Sequence, residues 1–255
     1  MKEVPLSGGL VSSPVKVGST VRRVAGPWTP AVQALLAHVR SRGFMHVPEP
    51  LGIDEQGRES LSYLPGTSAH RPWPEVLKRD DGLIQMGKML RAYHDAVRDF
   101  VPPEGAEWRI GKAQLKPGQV IRHGDLGPWN TLWQGEQLTA LLDWDFAEPG
   151  EAITDLAQAA WYFVPLRGEK SWAESGFAVR PDFLRRLEVL CEAYGGEFTP
   201  SEVLAELDLL QQADMRITER LGKAGVHPWS LFWDRDGLAL LQAENAWLHE
   251  HFPLP

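Results

Sequence analysis

The sequence predicts an α+β protein, in which a small antiparallel β lobe with one helix precedes a larger, mainly helical lobe. Two patterns support this class. Short segments rich in β-branched residues occupy the first part of the chain, whereas apolar residues later recur at the three- and four-residue steps of helices. A polar and irregular stretch, residues 121–155, lies between the later helices and carries side chains suited to catalysis.

The predicted β lobe begins with a hairpin. Residues 10–17 and 20–24 are short and rich in β-branched side chains, and Gly18 between them favours a tight turn. Two more strands are predicted at residues 50–53 and 59–64, because a turn-forming segment separates them and a Pro-Gly pair follows them. We expect these segments to form one small sheet.

A single helix is predicted between these two pairs of strands. Thr29 suits its N-cap, Pro30 its first turn and Gly43 its C-terminal stop. The apolar positions follow the i, i+3, i+4, i+7 pattern of a helix: Val32, Leu35, Leu36 and Val39. Such a stripe must pack against another element.

The rest of the chain is predicted to be mainly helical. The clearest helix start is at Thr199, which can form a capping box with Glu202. The predicted helices cover residues 81–98, 181–194, 200–222 and 236–249. We therefore expect a first lobe over residues 1–66 and a second over residues 67–255.

Composition and charge exclude several classes of protein. The chain is 43% hydrophobic and 24% charged, which excludes disorder and a coiled coil, and its net charge of −8 argues against a nucleic-acid partner. Cys191 is the only cysteine, so neither an intrachain disulfide nor a cysteine-rich zinc site can form. The longest apolar run, residues 159–166, is far shorter than the ~20 residues of a membrane span, and the N-terminus lacks the apolar core of a signal peptide. We expect a soluble cytoplasmic protein with no membrane partner.

Three oxygen-bearing side chains are predicted to come together in the polar stretch. Asp125 follows a His-Gly pair, Asn130 comes five residues later, and Asp143 directly follows an apolar strand. Mg²⁺ prefers hard oxygen ligands and is usually held by one or two protein groups together with substrate phosphates, which suits Asn130 and Asp143. Asp125 is then placed to accept a proton from an attacking hydroxyl.

Each motif has an alternative interpretation when it is taken alone. His123-Gly124-Asp125 is also typical of a turn with a capping aspartate, and Asp143-Trp144-Asp145 of a solvated strand end. The order and spacing of strand, turn, asparagine and second aspartate favour the catalytic interpretation.

Together these motifs resemble those of the aminoglycoside phosphotransferase family of protein-kinase-like enzymes. The family pattern H-G-D-x-x-x-x-N is matched from His123 to Asn130, and the family's metal-binding aspartate, usually followed by Trp, is matched by Asp143. Its D-L-A sequence is matched from Asp155. The residues YLPG, from Tyr63, resemble the hinge between the lobes, and LRAYHDA resembles the helix before the catalytic loop.

The resemblance implies a protein-kinase-like fold and a nucleotide-binding first lobe. ATP and Mg²⁺ would bind between the lobes, with the backbone of Ser62, Tyr63 and Leu64 near adenine. His123 would bond backbone groups and hold the shape of the catalytic turn, and Asp155 would brace that turn.

The first lobe departs from the family pattern in its phosphate-binding residues. Kinase-like enzymes use a strand lysine, paired with a helix glutamate, to hold the nucleotide phosphates. Here Arg22 or Arg23 stands at the lysine position and Gln33 at the glutamate position, so we expect the charge to be kept and the ion pair to be lost. We place Arg22 and Gln33 at the nucleotide. Gly8-Gly9 suits either a phosphate-covering turn or a flexible N-terminus.

The sequence therefore predicts an ATP- and Mg²⁺-dependent small-molecule kinase with a hydroxylated acceptor. The alternative is a kinase-like binding or antibiotic-immunity protein with weak or absent catalysis, which the replaced lysine and glutamate motivate. A protein kinase is a third candidate, although no long activation segment separates Asp143 from Asp155. The acceptor, the choice of ATP or GTP and the oligomeric state stay open.

Overall fold

The computed structural model describes residues 2–6 and 14–253, and within them the first part of the chain forms an antiparallel sheet of five short strands. These strands are β1 (Glu3–Pro5), β2 (Val15–Val17), β3 (Thr20–Val24), β4 (Pro50–Ile53) and β5 (Arg58–Ser62). Their spatial order is β1-β2-β3-β5-β4. The pairing of β2 with β3 around Gly18 confirms the predicted hairpin, of which residues 10–13 lie outside the described residues.

The register between β3 and β5 decides which arginine is buried. Arg22 lies opposite Ser60, and Arg23 lies opposite Glu59. Because successive side chains of a strand point to opposite faces, only one of the two arginines can face the interior. Arg23 is the buried one, at 6% exposure, and Glu59 beside it is 1% exposed.

The predicted helix is confirmed as α1 (Thr29–Ser41), with all four residues of its apolar stripe fully buried. Its N-cap is Trp28 and not Thr29. The Thr29 hydroxyl instead accepts a hydrogen bond from the Gly26 amide at 2.9 Å, so it stabilises the turn that leads into the helix.

Two smaller sheets follow in the described chain. Their strands are β6 (Thr67–Ser68), β7 (Val120–Arg122), β8 (Thr131–Gln134), β9 (Gln137–Leu141) and β10 (Glu148–Gly150). One sheet has the order β6-β8-β9, and in the other β7 pairs with β10, all antiparallel. The tight hairpin of β8 and β9 carries the chain to Asp143, which follows an apolar strand as the sequence predicts.

Helices form most of the remaining described chain. They are α2 (Glu75–Lys78), α3 (Asp80–Val97), α4 (Ala152–Phe163), α5 (Glu169–Glu174), α6 (Phe183–Tyr194), α7 (Pro200–Lys223), α8 (Trp229–Trp233) and α9 (Gly237–His251). The predicted helices correspond to α3, α6, α7 and α9, and the capping box of Thr199 with Glu202 is present. These sheets and helices confirm the α+β class. Among the described helices, none combines the length and the apolar character that a membrane span requires.

The chain contacts divide the molecule into two compact units. The first contains Met1–His70 and Lys88–Asp155, and the second contains Arg71–Gly87 and Leu156–Pro255. Of the three boundaries between the units, one lies between β6 and α2, and the other two fall within α3 and α4. These boundaries are defined by contacts within the chain and not by the predicted lobes, so the lobe boundary at residue 66 stays a prediction.

Candidate active site

The predicted catalytic loop runs from His123 to Asn130, between β7 and β8. At its end, a single 3₁₀ turn (Pro128–Asn130) brings Asn130 back towards Asp125. The Asn130 Nδ2 group donates hydrogen bonds to the backbone oxygen and to Oδ2 of Asp125, each at 2.8 Å. The side chains of Asp125 and Asn130 are therefore in direct contact.

Backbone hydrogen bonds connect this loop to the segment that carries Asp143. The Leu142 amide donates to the Asn130 carbonyl at 2.8 Å, and His123 Nε2 donates to the Leu142 carbonyl at 2.9 Å. Asp143 follows directly and has φ of +58°, a left-handed conformation that residues other than glycine rarely adopt. Backbone strain of this kind is concentrated at functional sites. Hydrogen bonds therefore connect Asp125 to Asn130, and Asn130 to the residue before Asp143.

Asp143 also belongs to a group of five charged side chains, which we call the charge cluster. Its members are Arg23, Glu59, Arg109, Asp143 and Asp145. The Arg23 guanidinium lies 2.5 Å from Glu59 and 2.9 Å from Asp143. It also lies 2.6 Å from one oxygen of Asp145, whose other oxygen is 3.0 Å from Arg109. Only Asp143 is appreciably exposed, at 26% of its side chain, whereas each of the others is 6% exposed or less.

Burial and neighbouring charge act in opposite directions within the charge cluster. Burial alone would lower the pKa of Arg23, but the three surrounding carboxylates outweigh it and raise that pKa above its ordinary value. Burial raises the pKa of Asp145, and the positive charge of Arg23 offsets part of this increase. Arg23 therefore stays cationic and holds the carboxylates together.

His123 supports the catalytic loop from inside the molecule and is fully buried. Besides its bond to Leu142, its Nδ1 accepts a hydrogen bond from the Asp125 amide at 3.3 Å. Burial lowers the pKa of His123 below 6.5, although the charge of Asp155 partly opposes this. A neutral ring that donates from Nε2 and accepts at Nδ1 satisfies both contacts, and both partners are the backbone groups that the sequence predicts.

Asp155 holds the beginning of the same loop. Its buried carboxylate accepts hydrogen bonds from the amides of His123 at 2.7 Å and Gly124 at 3.3 Å. A third bond comes from Nε2 of His94 at 3.2 Å. Burial would raise the pKa of Asp155, but the bond from His94 and its charge lower it overall. These contacts are those of a residue that braces the loop.

The structure places Arg22 away from the charge cluster. Arg22 donates to the Ser60 hydroxyl, and its Nε lies 3.4 Å from Asp54. Of the two arginines that the sequence offers for the lysine position, the one beside Asp143 is Arg23, because the alternation of β3 turns the two side chains to opposite faces.

The strand arginine does not pair with a helix carboxylate, because the helix residue is Gln33, but Arg23 has another carboxylate partner. Glu59 on β5 supplies the carboxylate that the helix does not provide. Gln33 on α1 does not replace it but lies against it, with its Nε2 donating to Glu59 Oε1 at 3.3 Å. Gln33 also exchanges hydrogen bonds with the Gly52 backbone, each at 3.1 Å. Gln33 therefore positions Glu59, which in turn pairs with Arg23.

The residues of the predicted hinge follow the sheet directly. The amides of Ser62 and Tyr63 donate to main-chain carbonyls at 2.9 and 2.8 Å, and Leu64 lies just beyond them. Contact of this segment with adenine stays a prediction. Gly8 and Gly9, for which the sequence leaves a phosphate-covering turn and a flexible N-terminus open, lie outside the described residues.

Tryptophans near the loop differ in exposure. Trp133 and Trp144 are buried, at 3% and 1% exposure, and Trp144 packs against His123 with 4.4 Å between ring centroids. Trp129 is 37% exposed, and its indole lies so close to Gly127 that a Cβ there would come within 2.3 Å of the ring. Trp133 and Trp144 therefore belong to the core, whereas Trp129 is partly exposed beside the loop.

Sequence reasoning missed three members of the charge cluster. Asp145 lies two residues after Asp143 in the same motif, so the sequence offers a signal for its place at the site. Glu59 is brought to Arg23 by strands that are not consecutive, and Arg109 comes from a segment without regular structure. Neither of these two has a local sequence signal.

Comparison with known proteins gives consistent matches. A family model described as "Phosphotransferase enzyme family" matches residues 106–183. A curated relative, the trifolitoxin immunity protein of Rhizobium leguminosarum bv. trifolii, is 35% identical over 198 residues. The match covers 76% of this chain and 74% of the relative.

Solved structures with similar folds include phosphotransferases. Amicoumacin kinase, in complex with AMP-PNP, Ca²⁺ and Ami, superposes with a TM-score of 0.66 at 11% identity, over 99% of this chain and 90% of the kinase. The GDP complex of aminoglycoside 2'-phosphotransferase-IIIa superposes with a TM-score of 0.57 at 13% identity, over 96% and 93% of the two chains. The fold of this chain is thus that of protein-kinase-like phosphotransferases, as the sequence predicts.

Proposed function

Because this chain belongs to the aminoglycoside phosphotransferase family of protein-kinase-like proteins, we propose that it transfers the γ-phosphate of ATP to a hydroxyl group of a small molecule. The observation that carries this proposal is the contact of Asn130 with Asp125, together with the backbone bond between Asn130 and the residue before Asp143. These bonds support a site in which Asp125 is the general base and Asn130 and Asp143 are the oxygen ligands.

Asp125 acts as the general base. Its carboxylate orients the acceptor hydroxyl and takes its proton while the hydroxyl oxygen forms a bond to the γ-phosphorus. The bond between that phosphorus and the bridging oxygen breaks, and ADP leaves. The Asn130 Nδ2 group bonds to Asp125 Oδ2 at 2.8 Å and so fixes the direction of this carboxylate.

Asn130 and Asp143 would hold Mg²⁺, and the donor set fits this ion. Because Asn130 Nδ2 faces Asp125, the amide oxygen is turned away from that carboxylate. Among the described residues, no group of three or more His, Cys, Asp or Glu side chains could hold a metal. Mg²⁺ is usually held by only one or two protein groups in addition to phosphate oxygens. When bound, it would neutralise charge on the phosphates.

Arg23 is the cation that we assign to the nucleotide phosphates, in place of Arg22, because it contacts Asp143. Gln33 contributes indirectly through Glu59, and the backbone of residues 62–64 would lie at adenine. The amicoumacin kinase structure, which holds AMP-PNP and Ca²⁺, supports the pairing of an adenine nucleotide with a divalent cation in this fold.

Calorimetric titration of ATP with Mg²⁺ tests this proposal. We expect binding to wild-type protein that requires Mg²⁺ and is lost in Asp143→Ala. Asp95→Ala is a matched control, because Asp95 is a half-exposed carboxylate that pairs with Arg91 and Arg98 on the surface. Binding would justify a screen of hydroxylated acceptors for ADP release. No binding at millimolar nucleotide would contradict the proposal.

A second candidate function is a binding or immunity protein with weak or absent catalysis. The relative named trifolitoxin immunity protein favours it. Wild-type protein and Asp125→Asn should be expressed in a trifolitoxin-sensitive strain, with growth in the toxin as the readout. Protection by wild type that Asp125→Asn retains would support immunity without phosphoryl transfer, whereas protection lost in the variant would support the kinase.

A further inference from the structure

Arg109 reaches the charge cluster from a segment without helix or strand, between α3 and β7. The neighbouring Trp108 anchors this segment: it is 3% exposed, and its indole donates to the Ala113 carbonyl at 3.1 Å. The amides and carbonyls of Trp108 and Gly111 also bond to each other, at 2.8 and 3.0 Å. These contacts hold the backbone beside Arg109 in place, although the segment has neither helix nor strand.

The Arg109 guanidinium lies close to two aromatic rings. Its central carbon lies 4.3 Å from the centroid of the Trp28 ring and 4.8 Å from that of Phe146. Its Nη1 also donates to Asp145 at 3.0 Å. Contact with aromatic rings together with a hydrogen bond to a carboxylate suits a planar guanidinium better than an ammonium.

Asp145 and Phe146 belong to the 3₁₀ turn (Trp144–Phe146) that directly follows Asp143. Arg109 therefore contacts two of the three residues of this turn, Asp145 through a charged hydrogen bond and Phe146 through its aromatic ring. The same turn packs on the catalytic loop, because the Phe146 carbonyl lies where a Cβ on Gly124 would come within 2.0 Å. A displacement of the turn would affect both Asp143 and the loop.

We propose that Arg109 is a positioning residue, which holds the turn after Asp143 against Trp28 and so keeps the Asp143 carboxylate in place for a divalent cation. This inference rests on the proposed function for its metal, but the turn it describes exists without one. The strained conformation of Asp143, with φ of +58°, needs such support, because the backbone alone does not favour it.

Two measurements on Arg109→Met and Arg109→Lys test the inference. The first is hydrogen exchange of a peptide covering residues 141–147, without nucleotide or metal. We expect faster exchange in Arg109→Met, with β8 unchanged. The second is binding of Mn²⁺ with AMP-PNP, measured by electron paramagnetic resonance. We expect the Mn²⁺ affinity of Arg109→Met to fall by up to about tenfold, the lower end of the loss seen when a direct partner of a metal ligand is removed, because Arg109 acts on Asp143 through the neighbouring Asp145.

Arg109→Lys keeps the charge beside Asp145 and should recover part of the Mn²⁺ affinity. The matched control is Arg98→Met, because Arg98 is 70% exposed and pairs with Asp95 on the surface. Unchanged exchange in residues 141–147 of a folded Arg109→Met protein would overturn the inference. If wild-type protein fails to bind Mn²⁺ with AMP-PNP while Arg109→Met still speeds that exchange, the proposed function fails and the positioning of the turn by Arg109 stands.

Discussion

Arg23 and Asp143 are 120 residues apart in the sequence, yet Nη1 of Arg23 donates a hydrogen bond to Oδ1 of Asp143 at 2.9 Å. This contact ties β3 to the turn that follows β9. The same guanidinium also contacts Glu59 and Asp145, so one cation faces three carboxylates. The charge of Arg23 is therefore needed both for the stability of this region and for the position of Asp143.

Arg23→Met should be strongly destabilising. Removing one partner of a buried ion pair leaves an uncompensated charge and costs about 3–5 kcal/mol of unfolding free energy. Arg23→Lys keeps the charge and should cost less. Arg22→Met is the matched control, because its pair with Asp54 is partly exposed and should contribute about 1 kcal/mol or less. Urea unfolding measures all three variants, and equal losses for Arg22→Met and Arg23→Met would contradict the burial of Arg23.

Gly124→Ala should disrupt the catalytic loop. Gly124 has φ of +77°, and a Cβ would come within 2.0 Å of the Phe146 carbonyl oxygen, so both the backbone and the packing oppose a side chain. Gly118→Ala is the control, because Gly118 has φ of +86° but a Cβ there would meet no atom of the described residues within 4 Å. We expect about 1 kcal/mol of lost stability in the control, from backbone strain alone. Thermal unfolding should show a clearly larger loss in Gly124→Ala, and similar losses would argue against the close packing.

The elements of this fold that have local signals were predictable from the sequence. α1 begins and ends within two residues of its predicted limits, and the capping box at Thr199 is present. Both features depend on residues that are close in the sequence. The limits of α1 depend on its apolar stripe with Pro30 and Gly43, and the capping box depends on Thr199 and Glu202, three residues apart. The short helix α5 was not predicted, because its six residues carry no long periodic pattern.

The candidate site was predictable where it is local and not where it depends on tertiary pairing. Asp125, Asn130 and Asp143 lie within one stretch, and hydrogen bonds connect Asp125, Asn130 and the residue before Asp143. Whether Arg22 or Arg23 faces the interior depends on how β3 pairs with β5, and the sequence of β3 alone does not reveal that register. Glu59 became a partner of Arg23 only because β5 lies between β3 and β4 in the sheet.

His123 should make the protein less stable as the pH falls. Its folded pKa lies below 6.5, so the unfolded chain binds a proton more readily than the folded protein. Its contribution is therefore fully present above about pH 6.5 and decreases as the pH falls towards the folded value. His123→Gln removes the titrating imidazole but keeps a hydrogen-bond donor. The unfolding free energy of this variant should therefore vary less over that pH range than that of wild type. Urea unfolding at several pH values would show it, and an unchanged slope would argue that other groups dominate.

Cys191 should be unreactive in the folded protein. It is 3% exposed on α6, and burial raises the pKa of its thiol to about 12. Because the thiolate is the reactive form, Ellman's reagent at about pH 8 should label the native protein very slowly and the unfolded protein stoichiometrically. The rate of labelling then reports opening of α6. Fast labelling under native conditions would show that α6 opens readily or that the thiol is accessible.

Asp125→Asn should impair phosphoryl transfer without impairing the binding of Mg²⁺-ATP. Asparagine keeps the size of the side chain and can still accept the hydrogen bond from Asn130 Nδ2, so the loop should keep its shape and Mg²⁺-ATP should bind as in wild type. It cannot take the proton of the acceptor hydroxyl, so ADP release with an active acceptor should fall by about 10²–10⁴-fold, the usual contribution of a general base. Asp143→Asn, in contrast, should weaken Mg²⁺-ATP binding itself, because it removes a charged ligand. Steady-state turnover and calorimetry on both variants distinguish these effects, and wild-type turnover in Asp125→Asn would remove this residue from proton transfer.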